Sequence, residues 1–194
     1  MTTVVPGRRT RRQSELLDRL LSLFLDQGFS RFTLDDLAAE LRCSKTTLYA
    51  LAPSKEQLAV EVVKHYFKNA TAQVESAVAR QTRHDRRIAA YLNAVADALR
   101  PASRTFLDDV ARFAPARSVY ERNTRIAADR VRTLIEDGIN NKSFRQVDIA
   151  FAAEMIAHTM QAIQRGDITR RTGLTDAEAY RELASFVLHS LRLD

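Results

Sequence analysis

From Thr10 onward, hydrophobic positions recur at helical spacing. Leu16, Leu17, Leu20, Leu21 and Phe24 form one stripe. Thr10 and Gln13 stand three apart ahead of it, as a capping box requires. Gly28 follows it, where a left-handed residue is expected to end the helix. The punctuation then repeats. Thr33 precedes Asp36 by three, with Leu34, Leu37, Ala38 and Leu41 as a short apolar face. Ser44 opens a segment holding Leu48 and Tyr49, and Pro53 breaks it. Ser54 precedes Gln57 by three and starts a long stripe through Leu58, Val62 and Tyr66. Ser and Thr oxygens accept from the free N–H groups of a first turn, so each marks a helix start. The order is long helix, short helix, tight turn, short helix, long helix, which is a helix-turn-helix. Ser44, Lys45, Thr46 and Thr47 are compact or flexible donors at the N-terminus of the second short helix, suited to base edges and phosphates in a major groove. A connecting hairpin of helices with a solvated face is the alternative.

Beyond residue 54 the pattern predicts helices over 55–80, 85–99, 102–113, 117–137, 148–164 and 176–191. Gly138 is expected in the loop between Asp137 and Asp148, with Asp148 as an N-cap, and Thr175 and Glu178 form another capping box. Residues 149–163 are apolar on nearly every face, as are 179–191, so both stretches need cover on several sides. Ala152, Ala153 and Ala157 permit close helix approach. Tyr91, Phe106, Val110, Phe113, Met155, His158 and Met160 are candidates to line a ligand cavity, against the plainer reading of the same residues as core.

Composition narrows the class. Only 5 Gly and 4 Pro occur in 194 residues, which disfavours a fold of many tight turns and supports an all-α chain. The net charge of +6 permits a nucleic-acid partner without selecting one. Arg8, Arg9, Arg11 and Arg12 occur with no acid among them and read either as a basic arm on nucleic acid or as a solvated leader. Cys43 is the only cysteine, which excludes an internal disulfide and a cysteine-cluster metal site, and it reads as core packing. His65, His84 and His189 show no metal spacing. No signal-peptide stretch or membrane span is apparent, so a cytoplasmic protein is expected. G-x-S-x-G, H-E-x-x-H and phosphate-loop motifs are missing, so neither catalysis, cofactor nor metal is expected.

Four pieces in register extend this reading: LF…GF over Leu23–Phe29, T-x-x-D-L-A over Thr33–Ala38, S-K-x-T-L-Y over Ser44–Tyr49, and P-S-K-E over Pro53–Glu56. With them, residues 14–67 resemble the DNA-binding domain of the TetR family of bacterial transcription regulators. The resemblance implies a three-helix helix-turn-helix domain followed by a helical ligand and dimerisation domain. The corresponding boundaries are a basic arm at 1–9, the DNA-binding domain at 10–54, and the C-terminal domain at 55–194. It also implies that Thr33, Ser44, Tyr49 and Lys55 hold the DNA backbone while Lys45, Thr46 and Thr47 face bases. The last two helices would form a four-helix interface in a homodimer, through Ala153, Ile156, Ala157, Met160, Leu183, Phe186, Val187 and Leu191.

The implied activity is that of a repressor released from a palindromic operator by a small, largely apolar ligand. A ligand-independent architectural or division-linked protein is the alternative, as is an adaptor that has lost DNA binding. The chain departs from the family at Arg42, where glycine is common in the turn, and at Thr46. It departs again at Ala50, Leu51 and Ala52, which replace an aromatic or histidine cluster.

Overall fold

The computed structural model describes residues 10–193, and these are arranged as helices without strands. The helices are α1 (Arg11–Gln27), α2 (Leu34–Glu40), α3 (Lys45–Tyr49), α4 (Lys55–Ala79) and α5 (His84–Leu99), followed by α6 (Arg104–Arg112), α7 (Ala114–Asn140), α8 (Ile149–Gln164), α9 (Asp167–Thr172) and α10 (Asp176–Leu191). The expected caps are in place. Thr10, Thr33 and Thr175 form reciprocal capping boxes, and Ser44, Ser54 and Asp148 accept from the first turns of α3, α4 and α8.

Helices α1, α2 and α3 close over Leu17, Leu20, Phe24, Leu37 and Leu48, all buried. The rest stacks around α5 and α7: α10 and α4 lie on α5, α8 on α7, and α4 runs along α7. Three differences from the sequence reading have physical causes. Helix α7 runs on to Asn140, through Gly138, and the glycine serves packing, since the Phe144 ring occupies the space that a side chain at 138 would need. Helix α9 was not expected; it is a six-residue turn without buried residues, set between Gly166 and Gly173. Gly28 has φ +74° but an extended ψ of −176°, so it is no left-handed cap. A Cβ there would lie 2.5 Å from the Asp109 carboxylate, so the positive φ and the close approach by α6 both demand glycine.

That approach is part of a joint between the first three helices and the remainder. Asp109 of α6 is buried and accepts from the backbone N–H groups of Phe29 (2.7 Å) and Ser30 (2.8 Å). Lys55, at the start of α4, donates to the carbonyl of the same Ser30 (2.9 Å). The Phe29 ring meets Phe106 and Phe113 edge-on. Ser103 N–H donates to the Leu25 carbonyl at 2.8 Å.

Candidate nucleic-acid interface

The turn between α2 and α3 takes four residues, Leu41 to Ser44. Arg42 adopts φ +47°, so the left-handed position usually given to glycine is held here by arginine, at a cost of about 1 kcal/mol. Cys43 N–H donates to the Ala38 carbonyl (2.9 Å), and the Arg19 guanidinium donates to the Leu41 carbonyl (2.6 Å). Both bonds satisfy carbonyls that the end of α2 leaves free. Ser44 then caps α3, its hydroxyl accepting from Thr47 N–H (3.1 Å) and meeting the Thr47 hydroxyl at 2.8 Å. Leu48 is fully buried and fixes which side of α3 faces inward.

The opposite side carries Lys45, Thr46 and Tyr49, all exposed, with Tyr49 49% accessible. Lys45 pairs with Asp35 of α2 at 2.6 Å, and that carboxylate holds the ammonium above its ordinary pKa. Thr33 lies exposed at the start of α2, where its hydroxyl and Asp36 cap each other. Thr33, Ser44, Lys45, Thr46, Thr47 and Tyr49 thus all belong to the α2–α3 unit. Lys55 is set apart by its bond to Ser30. Leu51 and Ala52 pack inward and complete the small core, while the Ala50 carbonyl receives the Gln13 side chain (3.4 Å). Arg11 and Arg12 form the exposed first turn of α1, with Arg11 paired to Glu15. Arg8 and Arg9 lie outside the described residues.

The proposed ligand residues do not converge on one cavity. Phe106, Val110 and Phe113 pack under α1 near Phe29, filling the joint with aromatic contacts. Met155 and His158 face outward from α8, Met155 at 54% accessibility and His158 beside Glu154. Of these residues Tyr91 alone lines the cavity of about 130 Å³ bounded by α4, α5, α7 and α10. Phe67, Tyr120 and Ile126 were missed from its wall. At its rim Glu75 of α4 and Arg130 of α7 form a two-bond ion pair (2.9 and 3.0 Å).

The proposed interface residues also divide. Ile156, Met160, Leu183, Val187 and Leu191 are buried within the chain because those faces of α8 and α10 cover its own core. Ala153 and Ala157 are half-buried. Phe186 is 72% accessible and joins Phe151 (68%) and Met155 along an outer groove between α8 and α10. Among the described residues no helix is long and apolar enough to cross a membrane, and no cluster of His, Cys, Asp and Glu could hold a metal.

Residues 16–62, spanning α1 to the first turns of α4, match the family described as bacterial regulatory proteins, tetR family. The chain carries a TetR-family N-terminal domain. Solved structures share the fold of the described residues beyond that domain as well. A transcriptional regulator from Cytophaga hutchinsonii superposes with a TM-score of 0.74 at 16% identity, over 95% of this chain and 100% of its own. A putative transcriptional regulator from Saccharomonospora viridis, solved in complex with choline, gives 0.73 at 15% identity, over 96% and 100%. A TetR-family regulator from Thermus thermophilus gives 0.56 at 21% identity, over 92% and 99%. No curated protein matches the chain in sequence. These likenesses establish the architecture; the roles of individual residues rest on their own geometry.

Proposed function

We propose that this chain is a homodimeric transcriptional repressor that binds a palindromic operator and is released by a small molecule. The observation that carries the reading is the outward face of α3. A five-residue helix, capped by Ser44 and anchored by Leu48, offers Lys45, Thr46 and Tyr49 within the segment that matches the TetR-family domain. Residues 10–54 form the DNA-binding unit. Lys45, Thr46 and Thr47 face bases, while Thr33, Ser44 and Tyr49 hold phosphates, which the N-termini of α2 and α3 favour. Arg11 and Arg12 add charge of the same sense at the start of α1. Such residues work against the helix dipole and gain from an anion beside them. Lys55 acts on DNA only through the Ser30 joint.

Residues 55–194 form the regulatory and dimerisation unit. Phe151, Met155 and Phe186, flanked by Ala153 and Ala157, meet the same face of a second copy. An exposed apolar strip of this kind is expected to be covered in solution. A two-fold pair places two α3 helices toward successive major grooves, about 34 Å apart. The effector occupies the cavity between α4 and α7. There it displaces α4, whose first residue is tied to Ser30.

The test is recovery of genomic fragments with the purified chain, followed by titration of the enriched site at fixed salt. Lys45→Ala should weaken that site by about 1–3 kcal/mol. Tyr49→Phe should weaken all sequences alike. Parent-like binding by both variants would remove α3 as the reading helix.

A further inference from the structure

The cavity bounded by α4, α5, α7 and α10 has a wall on which several polar groups already have partners. Tyr66 donates its hydroxyl to the Ala98 carbonyl (2.8 Å), Thr124 donates to the Tyr120 carbonyl (3.1 Å), and Tyr91 reaches the Ala127 carbonyl (3.4 Å). Glu75 and Arg130 neutralise one another across the rim. Among the lining residues, Tyr120, 6% accessible, is the one with a fully buried hydroxyl that lacks a hydrogen-bond partner among the described residues. Its ring stacks obliquely on Phe67, with centroids 5.0 Å apart. An unmade hydrogen bond at a buried hydroxyl is costly, so such a group is a standing demand for an acceptor.

We propose that this cavity takes a compact, uncharged organic molecule bearing one hydrogen-bond acceptor, to which the Tyr120 hydroxyl donates. The proposal rests on the cavity being the effector site and adds the chemistry of its occupant. Size follows from the volume of about 130 Å³, since an apolar protein cavity of about 150 Å³ accommodates benzene. Roughly six to eight non-hydrogen atoms fit on that scale. Neutrality follows from the wall. The rim carboxylate and guanidinium already satisfy each other, so an ion would enter without a counter-charge and lose its hydration. The acceptor follows from Tyr120. Burial holds its phenol in the protonated, donating form.

The test compares cyclohexanone with methylenecyclohexane, which has a C=CH2 group in place of the carbonyl. Each is titrated into the full chain and into Tyr120→Phe, with the methyl signals of Val95 and Ile126 marking occupancy of the cavity. Tyr120→Phe keeps the ring and deletes only the unpaired hydroxyl, so the variant should fold. The expected result is a five- to tenfold loss of cyclohexanone affinity in Tyr120→Phe, with methylenecyclohexane unchanged or tighter. Equal changes for both probes would overturn the acceptor assignment while leaving the cavity a ligand site. Tighter binding of tetramethylammonium or isobutyrate than of cyclohexanone would overturn the uncharged class. Failure of all four probes to shift the Val95 and Ile126 signals would overturn both the proposal and the effector reading beneath it.

Discussion

Replacing Asp109 with alanine tests whether the first three helices are fastened to the rest by one carboxylate. Both bonds converge on the same oxygen, at 2.7 Å from Phe29 N and 2.8 Å from Ser30 N. Phe29 is buried, so its N–H has no route to water once the acceptor is gone, and an orphaned buried donor costs about 1–3 kcal/mol. Ser30 is exposed and regains part of its bond from solvent. Removal of the buried charge returns some of its desolvation cost. The net expectation is a loss of about 2–4 kcal/mol for Asp109→Ala. Asp109→Asn retains an oxygen acceptor without the charge, and neutral bonds are roughly half as strong, so about half that loss is expected. Urea unfolding followed by helical circular dichroism reads both numbers. With a slope of about 2 kcal/mol/M, the alanine midpoint should fall by about 1–2 M. Amide exchange adds the location: Phe29 and Ser30 should lose protection in the alanine variant, with α8 and α10 unaffected. Alanine and asparagine variants that both unfold within 0.5 kcal/mol of the parent would refute the joint.

Other substitutions test other parts of the structure. Gly138→Ala would place a Cβ 2.1 Å from the Phe144 ring, and a thermal midpoint several degrees lower is expected despite the better helix propensity of alanine. Asp176 has its pKa raised, chiefly by burial and against the Thr169 hydrogen bond and the Arg104 charge, so the fold favours its protonated form. That contribution is complete below the unfolded carboxyl pKa and is lost as pH rises through the folded one. Asp176→Asn should therefore raise the melting temperature at pH 7, with the gain shrinking toward pH 4 in parallel melts. Phe186→Glu should shift the sedimentation profile to the monomer and leave the helical content unchanged. Deletion of residues 1–9 removes Arg8 and Arg9 and should flatten the salt dependence of operator binding by about 0.9 per lost phosphate contact. An unchanged slope would leave the two as a solvated leader.

Local chemistry was legible in the sequence. Thr10, Thr33, Ser44, Ser54, Asp148 and Thr175 each start the helix their spacing announced, because a cap is settled within three residues of chain. Contacts between distant segments were harder. Gly138 read as a break because its partner, Phe144, lies beyond the end of the helix. Phe106 and Phe113 suggested a cavity because an apolar stripe does not say whether its neighbour is a ligand or, as here, another phenylalanine. Asp109 does carry a signal in the sequence, an acid between Phe106 and Val110 on the apolar stripe of α6. Glu75 and Arg130 left none, since each sits among surface charges and only the crossing of α4 over α7 brings them together. The outward direction of Phe151 and Met155 likewise depends on how α8 is rotated against α7.

The apolar strip of Phe151, Met155 and Phe186 bears on gene dosage. If the operator is filled only by a pair of chains joined along that strip, the pair's concentration follows the square of the free chain's below its dissociation constant. Halving synthesis then leaves a quarter of the active species, and a gradual fall in expression becomes a sharp loss of occupancy. Three side chains that gain nothing from facing water would thus set the abundance at which a regulated gene begins to escape.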